Sequence, residues 1–149
     1  MTVAEKATHI MGGHLKVSIV TPEATVYDGP ADLLVVPAHD GEVAFLPQHA
    51  PYVGLLGVGE GRLHEPAGGT LHWCLAGGVV QVVDDVVSVL AETVVPVASI
   101  DAKKAEAELE AALAAKATDA AGAAARQRAQ AVARAKIRLA AKAASHRHA

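Results

Sequence analysis

Few side chains in this 149-residue chain have types and spacing suited to chemistry. His39, His49, His64 and His72 are scattered through the first half, without the short intervals that a zinc or transition-metal site imposes. His146 and His148 flank Arg147 at the far end. The single cysteine, Cys74, follows Trp73 with no basic neighbour to activate it, and reads as a buried structural thiol. Gly57, Gly59 and Gly61 cluster between strand runs without a nucleotide-type spacing and with no helix signal after them, so a hairpin turn is expected. A Walker loop and a nucleophile elbow are both missing. Nothing assembles an acid, a base and a nucleophile.

What remains is electrostatic. From Ala120 onward the chain has seven basic residues and no acidic one. Arg126, Arg134, Arg138 and Lys142 recur at intervals of four or eight, so on a helix they form one stripe with Gln130. A solvated helix face is the plain reading, and a docking surface for an acidic partner is the sharper one. Aligned like charges repel by a few tenths of a kcal/mol per pair, so a free helix gains nothing from the stripe. Nucleic acid fits less well: the stripe has no aromatic residues, and the whole chain carries a formal charge of −3.

The elements that must position these residues fall into two unlike halves. Residues 1–100 hold 19 of the 20 valines, 12 of the 13 glycines and all seven prolines, and their net charge is −8. The last 49 residues hold 22 alanines and a net charge of +5. Valine with glycine and proline makes short strands and turns, whereas alanine with charges makes helix. Leu15–Val20 alternates at period two. Further strand runs follow at 24–27, 33–36, 43–46, 53–58, 62–65, 70–75, 79–83 and 86–91, with Asp84-Asp85 as a tight turn. Nine short strands with prolines at their ends predict an N-terminal antiparallel β-sandwich. Ser99 or Asp101 then caps a helix to about Lys116, Thr118–Gly122 breaks it, and a second helix covers about 123–144. The fold class is therefore β + α, a sandwich followed by a C-terminal antiparallel two-helix hairpin. The divisions are an arm at 1–14, the sandwich at 15–93, a linker at 94–99 and the hairpin at 100–149.

No apolar run reaches the ~18–20 residues of a membrane-spanning helix. The first fourteen residues lack the apolar stretch of a signal peptide and the arginines of a transit sequence, which predicts a soluble intracellular protein.

Several segments, in order, resemble one family. Gly41-Glu42-Val43-Ala44-Phe45-Leu46-Pro47-Gln48-His49-Ala50-Pro51 is similar to the loop-strand-loop signature of the epsilon subunit of the rotary ATP synthase. Residues 15–23 with Tyr27-Asp28-Gly29 resemble its first hairpin, 76–82 with 89–92 its last, and Ile100–Ala105 its first-helix opening. The resemblance covers about residues 15–144. The arm lies outside it, with Met11 as a second candidate start.

This resemblance implies a non-catalytic rotor subunit of a proton-translocating ATP synthase, with no required cofactor. Its partners would be the gamma subunit, the c ring and the catalytic beta and alpha subunits, at the cytoplasmic face of a bacterial membrane. It implies Glu42 toward the c ring, His49 near gamma, and Arg126, Arg134, Arg138 and Lys142 toward acidic segments of beta as a brake on ATP hydrolysis. It also implies a weak regulatory ATP site from Ile100, Asp101, Lys104, Ala105, Arg134 and Arg138. Lys104 stands where that pattern has arginine, Ala111 where it has a further arginine, and Val95 where it has an acid. Those departures set the expected affinity in the millimolar range or below detection, about −4 kcal/mol at 1 mM. An unrelated adaptor with a sandwich head and coiled-coil tail is the alternative reading.

Overall fold

The computed structural model describes residues 13–147. Most of the expected arm, the Met11 start and His148 lie outside the described residues. Eight strands come first: β1 (Leu15–Val20), β2 (Thr25–Ala31), β3 (Leu33–Ala38), β4 (Gly41–Phe45), β5 (Tyr52–Leu55), β6 (Val58–His64), β7 (Thr70–Val83) and β8 (Val86–Pro96). A 3-10 turn at Val97–Ser99 leads to helices α1 (Ala102–Ala114) and α2 (Ala120–Arg147).

The strand count differs from the nine expected because two predicted strands, 70–75 and 79–83, are one. β7 runs through both and turns at Gly77 and Gly78, whose φ angles are 70° and 120°. A Cβ on Gly78 would collide with the Leu90 carbonyl, so glycine is required there. At this bend β7 changes partners. Its first half pairs with β6 and the end of β8, and its second half pairs with β5 and the start of β8. One layer is thus β2-β1-β8-β7-β5 and the other β4-β3-β6 with the remaining halves of β7 and β8.

Pairing is antiparallel except between β1 and β8, which run parallel from Lys16↔Val86 to Val20↔Leu90. That single parallel pair departs from the all-antiparallel expectation. The Gly57–Gly61 cluster is not a hairpin turn either. Gly59 and Gly61 lie inside β6, buried, and a Cβ on Gly61 would sit 2.6 Å from Leu75 Cδ1. Glycine here leaves room for the side chains of the neighbouring strands β7 and β3 rather than changing the chain's direction.

The alternating residues of both layers meet in one core. Leu15, Val17, Ile19, Val80, Val82, Val87 and Val89 from one layer pack with Leu34, Val36, Phe45, Leu63, Trp73 and Leu75 from the other. Burying each such side chain contributes roughly 1.5–3 kcal/mol, so aliphatic residues hold the sandwich with little aromatic help.

Val94–Pro96, expected in an extended linker, continues β8, because its pairing with Trp73–Leu75 extends the ladder. Asp101 caps α1, its carboxylate accepting from the Lys103 and Lys104 amides at 3.0 and 3.2 Å. α1 stops at Ala114, two residues before Lys116. α2 begins at Ala120 rather than 123, because the Asp119 carboxylate accepts from the Gly122 amide at 2.7 Å and so caps the helix early. Gly122 therefore sits in the first turn of α2 instead of in the break.

Candidate protein-interaction surfaces

The outward faces of the two layers have opposite fates. On the β1-β8-β7-β5 layer the register puts Val20, Leu90, Val79 and Leu55 in one row, and Ser18, Ser88, Gln81 and Val53 in the next. Lys16, Val86 and Val83 make a third. Val53, Leu55 and Leu90 are 70, 64 and 58% exposed, and Val79, Val83 and Val86 are exposed beside them. The two apolar rows are joined through Val53 across the polar Ser18, Ser88 and Gln81, and a largely aliphatic open face of this kind on a folded chain marks a protein-interaction site. Sequence alternation gave no warning of it, since β5, β7 and β8 carry apolar residues on both faces and the pattern leaves the outer one undistinguished.

His49 lies at the end of this layer, in the segment between β4 and β5. Its ring centroid is 5.1 Å from Phe45 and 6.3 Å from Tyr52, and its Nδ1 is 2.6 Å from the Ala50 carbonyl oxygen. The ring is half-buried and packs edge-on against both aromatic neighbours.

The outward face of the other layer is covered by α2. Cys74, Ala135 and Leu139 form a small buried cluster there, with Val58, Val95, Val97 and Ile100 against it. Burial pushes the Cys74 thiol up, and the charges of Lys136 and Arg138 only partly oppose this. Beside the cluster Glu60, on β6, accepts from Arg62 Nη1 at 3.0 Å and from Lys142 Nζ at 3.4 Å, with His72 Nδ1 at 3.8 Å. Arg62 Nη2 also donates to Glu42 at 3.1 Å. An unbroken ionic series, Glu42–Arg62–Glu60–Lys142, thus links edge strand β4 to α2. Glu42 is half-exposed and engaged in this series. Arg128 on α2 makes a second bridge, to Glu92 on β8. Residues 128 and 142 are about 21 Å apart along the helix at 1.5 Å per residue. Neither bridge was visible from one-dimensional spacing, because both join the two halves of the chain.

The basic stripe is not uniform. Arg126 turns onto α1, donating from Nε and Nη2 to the carbonyls of Ala112 and Leu113 at 3.2 and 3.0 Å. It satisfies acceptors that the end of a helix leaves open. Lys136, off the stripe, pairs with Glu108 of α1 at 3.0 Å. Arg134 and Arg138 are exposed.

The six residues expected at an ATP site are dispersed among several roles. Ile100 packs in the Cys74 cluster, Asp101 caps α1, Lys104 is exposed, and Ala105 is buried. A cleft of about 390 Å³ beneath α2 is lined by Arg138 together with Glu42, Glu60, Arg62 and Lys142. On the other side of Glu60 a second cleft of about 500 Å³ is lined by Leu71, Trp73, Pro96, Val97 and Leu139. Among the described residues no group of three His, Cys, Asp or Glu side chains gathers as a metal site, and no helix is long and apolar enough to cross a membrane.

Residues 14–97 match the family model of the ATP synthase delta/epsilon chain β-sandwich domain. That match ends just before the helices. The chain is 38% identical over 93 residues to the ATP synthase epsilon chain of Nitrosospira multiformis, covering 62% of this chain and 67% of that one. It is 38% identical over 107 residues to the epsilon chain of Thioalkalivibrio sulfidiphilus, covering 69% and 76%. In fold it is similar to a chain of the Euglena gracilis mitochondrial ATP synthase, with TM-score 0.72, 22% identity, and 90% and 82% coverage. A chain of the Tetrahymena thermophila mitochondrial ATP synthase central stalk and c ring gives TM-score 0.66 at 14% identity, covering 84% and 95%. The family model spans more than half of the chain and the bacterial relatives more than a third in identity, so this chain belongs to the ATP synthase delta/epsilon family as an epsilon chain, a non-catalytic subunit of the F-type complex.

Proposed function

We propose that this epsilon chain works in the central stalk, seating its uncovered sandwich face on the gamma subunit and using its helical hairpin to restrain ATP hydrolysis. The observation that carries the reading is the asymmetry of the sandwich: one face lies under α2, and the other is aliphatic and open. An apolar face suits a permanent partner, whereas the ionic bridges and the small Cys74 cluster suit a contact that opens. Glu42, at the β4 edge, is placed toward the c ring, and His49 toward gamma. The subunit then sits peripherally at the cytoplasmic face of a bacterial membrane, reaching the membrane only through the ring.

When α2 leaves the sandwich, the Arg128–Glu92 and Lys142–Glu60 bridges break. Arg126 is released from the Ala112 and Leu113 carbonyls once α2 also parts from α1. These side chains then turn to acidic segments of the beta and alpha subunits, alongside Arg134 and Arg138. ATP acts at most as a weak ligand favouring the folded hairpin, since Lys104 lacks the planar fork of arginine and the Asp101 carboxylate already serves the start of α1. Affinity purification of the tagged chain from native membranes tests the placement. Gamma and the catalytic subunits should co-purify with it. Recovery of the chain with unrelated proteins and without them would favour an adaptor instead.

A further inference from the structure

Asp85 is the one buried charged side chain among the described residues, and its place in the fold is unusual. It occupies the two-residue turn between β7 and β8, where Asp84 and Asp85 have φ of 49° and 63°. Aspartate tolerates that left-handed backbone, so the turn alone accounts for the residue type. The turn does not account for the direction of the carboxylate. Asp85 Oδ1 accepts from the backbone amide of Gln48 at 2.6 Å, across 37 residues of sequence. Its carbonyl accepts from the Lys16 amide at 2.8 Å, so one residue ties the start of β1 and the loop after β4 to the same hairpin tip.

Gln48 itself has φ of 69°, which a residue with a side chain seldom adopts. The His49 amide donates to the Leu46 carbonyl at 3.2 Å, with Pro47 between, which matches a type II turn with proline at its second position. The third position of such a turn ordinarily holds glycine. Here glutamine is held there by the charge-assisted bond that its amide donates to a buried carboxylate, stronger than a neutral one. The held turn presents Leu46, which is 56% exposed, and sets His49 against Phe45 and Tyr52. Val83 and Val86, the last members of the open aliphatic face, directly flank Asp84-Asp85.

We infer that Asp85 is a positioning residue that fixes the Leu46–His49 turn as a continuation of the open aliphatic face, so that the partner of that face is gripped by sheet and turn together. This rests on the reading of that face as the gamma-docking surface. Asp85 touches the partner through nothing of its own. It acts through the Gln48 backbone.

Two readouts on the full chain separate the inference from that reading. Binding is measured to the gamma-containing catalytic head stripped of its own epsilon chain, and amide exchange at Gln48 is measured on the chain alone. Asp85→Ala should weaken binding about tenfold and speed Gln48 exchange at least tenfold. Asp85→Asn, which keeps an acceptor oxygen in place, should stay within about threefold of the parent in both. In a Gln48→Gly background, where the turn needs no restraint, Asp85→Ala should cost less than about threefold in binding. Equal loss in both backgrounds would mean general destabilisation, and would overturn the inference. So would unchanged binding of Asp85→Ala, or unchanged Gln48 exchange. A parent chain that fails to bind the stripped head would remove the docking reading and with it the role given to the turn, while the exchange data would still report the restraint.

Discussion

The Lys142 ammonium lies 3.4 Å from both carboxylate oxygens of Glu60, joining the last turns of α2 to the middle of β6 across 82 residues of sequence. Clefts open on either side of this pair, so the end of α2 is held over loosely filled space by an ionic contact and by Leu139. Such a contact is suited to release.

Its strength should therefore depend on salt. Surface ion pairs are worth about 0–1 kcal/mol each, and at 1 M salt the screening length falls to about 3 Å. Cys74, buried under α2, is the natural reporter of opening. Replacing Arg128 and Lys142 together with alanine should raise the rate of thiol labelling at Cys74 by about two- to tenfold. Raising salt to about 1 M should produce a similar rise in the parent chain and little in the variant. Labelling insensitive to both changes would remove the bridges from the account.

Acid should act on the same contact. Burial pushes the Glu60 carboxyl up, but the hydrogen bond from Arg62 and the charge and hydrogen bond of Lys142, with His72, outweigh it and hold Glu60 below the ordinary glutamate range. A group lowered in the folded chain adds stability above its unfolded value, and that stability is lost as pH falls through the folded value. Glu60→Gln should then be the less stable form near neutrality, and the difference should shrink as pH falls below the ordinary glutamate range. Melting temperature against pH for the two chains checks this. Parallel curves from neutral to acid pH would show that Glu60 gains nothing from its neighbours.

The basic stripe should matter to hydrolysis as a set. Replacing Arg126, Arg134, Arg138 and Lys142 with alanine should raise ATP hydrolysis by the assembled enzyme about two- to fivefold, since each exposed pair contributes little alone. Arg126→Ala by itself should also speed amide exchange at the end of α1, where its guanidinium serves the Ala112 and Leu113 carbonyls. Hydrolysis unchanged in the fourfold variant would place any restraint elsewhere.

Much of this was legible in residue order. Period-two alternation located β1, the valine runs located β7 and β8, and the capping signal at Asp101 started α1 at its observed position. The merged β7 was not legible, because Ala76-Gly77-Gly78 is punctuation in one dimension and a bend within one strand in three. The parallel β1–β8 pair was hidden for a related reason, as strands 66 residues apart leave no local mark of direction. Of the surfaces, the stripe was read from helical spacing, but its division into Arg126, turned onto α1, and exposed Arg134 and Arg138 depends on which side of α2 meets α1. The Glu42–Arg62–Glu60–Lys142 series and the Asp85–Gln48 bond escaped altogether. Each joins elements brought together only by the folded sandwich.

The most direct test is on the open aliphatic face. Leu55 and Leu90 stand in one row with Val79, already exposed in the free chain, so charging them should leave its folding intact. Binding of Leu55→Glu/Leu90→Glu to the gamma-containing catalytic head stripped of its epsilon chain, compared with the parent chain, is the measurement. Burying two unpaired carboxylates in an apolar contact is strongly unfavourable. Binding should weaken by about 100-fold or more, equivalent to about 2.7 kcal/mol, with the melting temperature of the free chain preserved. Binding as tight as that of the parent chain, with the variant folded, would contradict it.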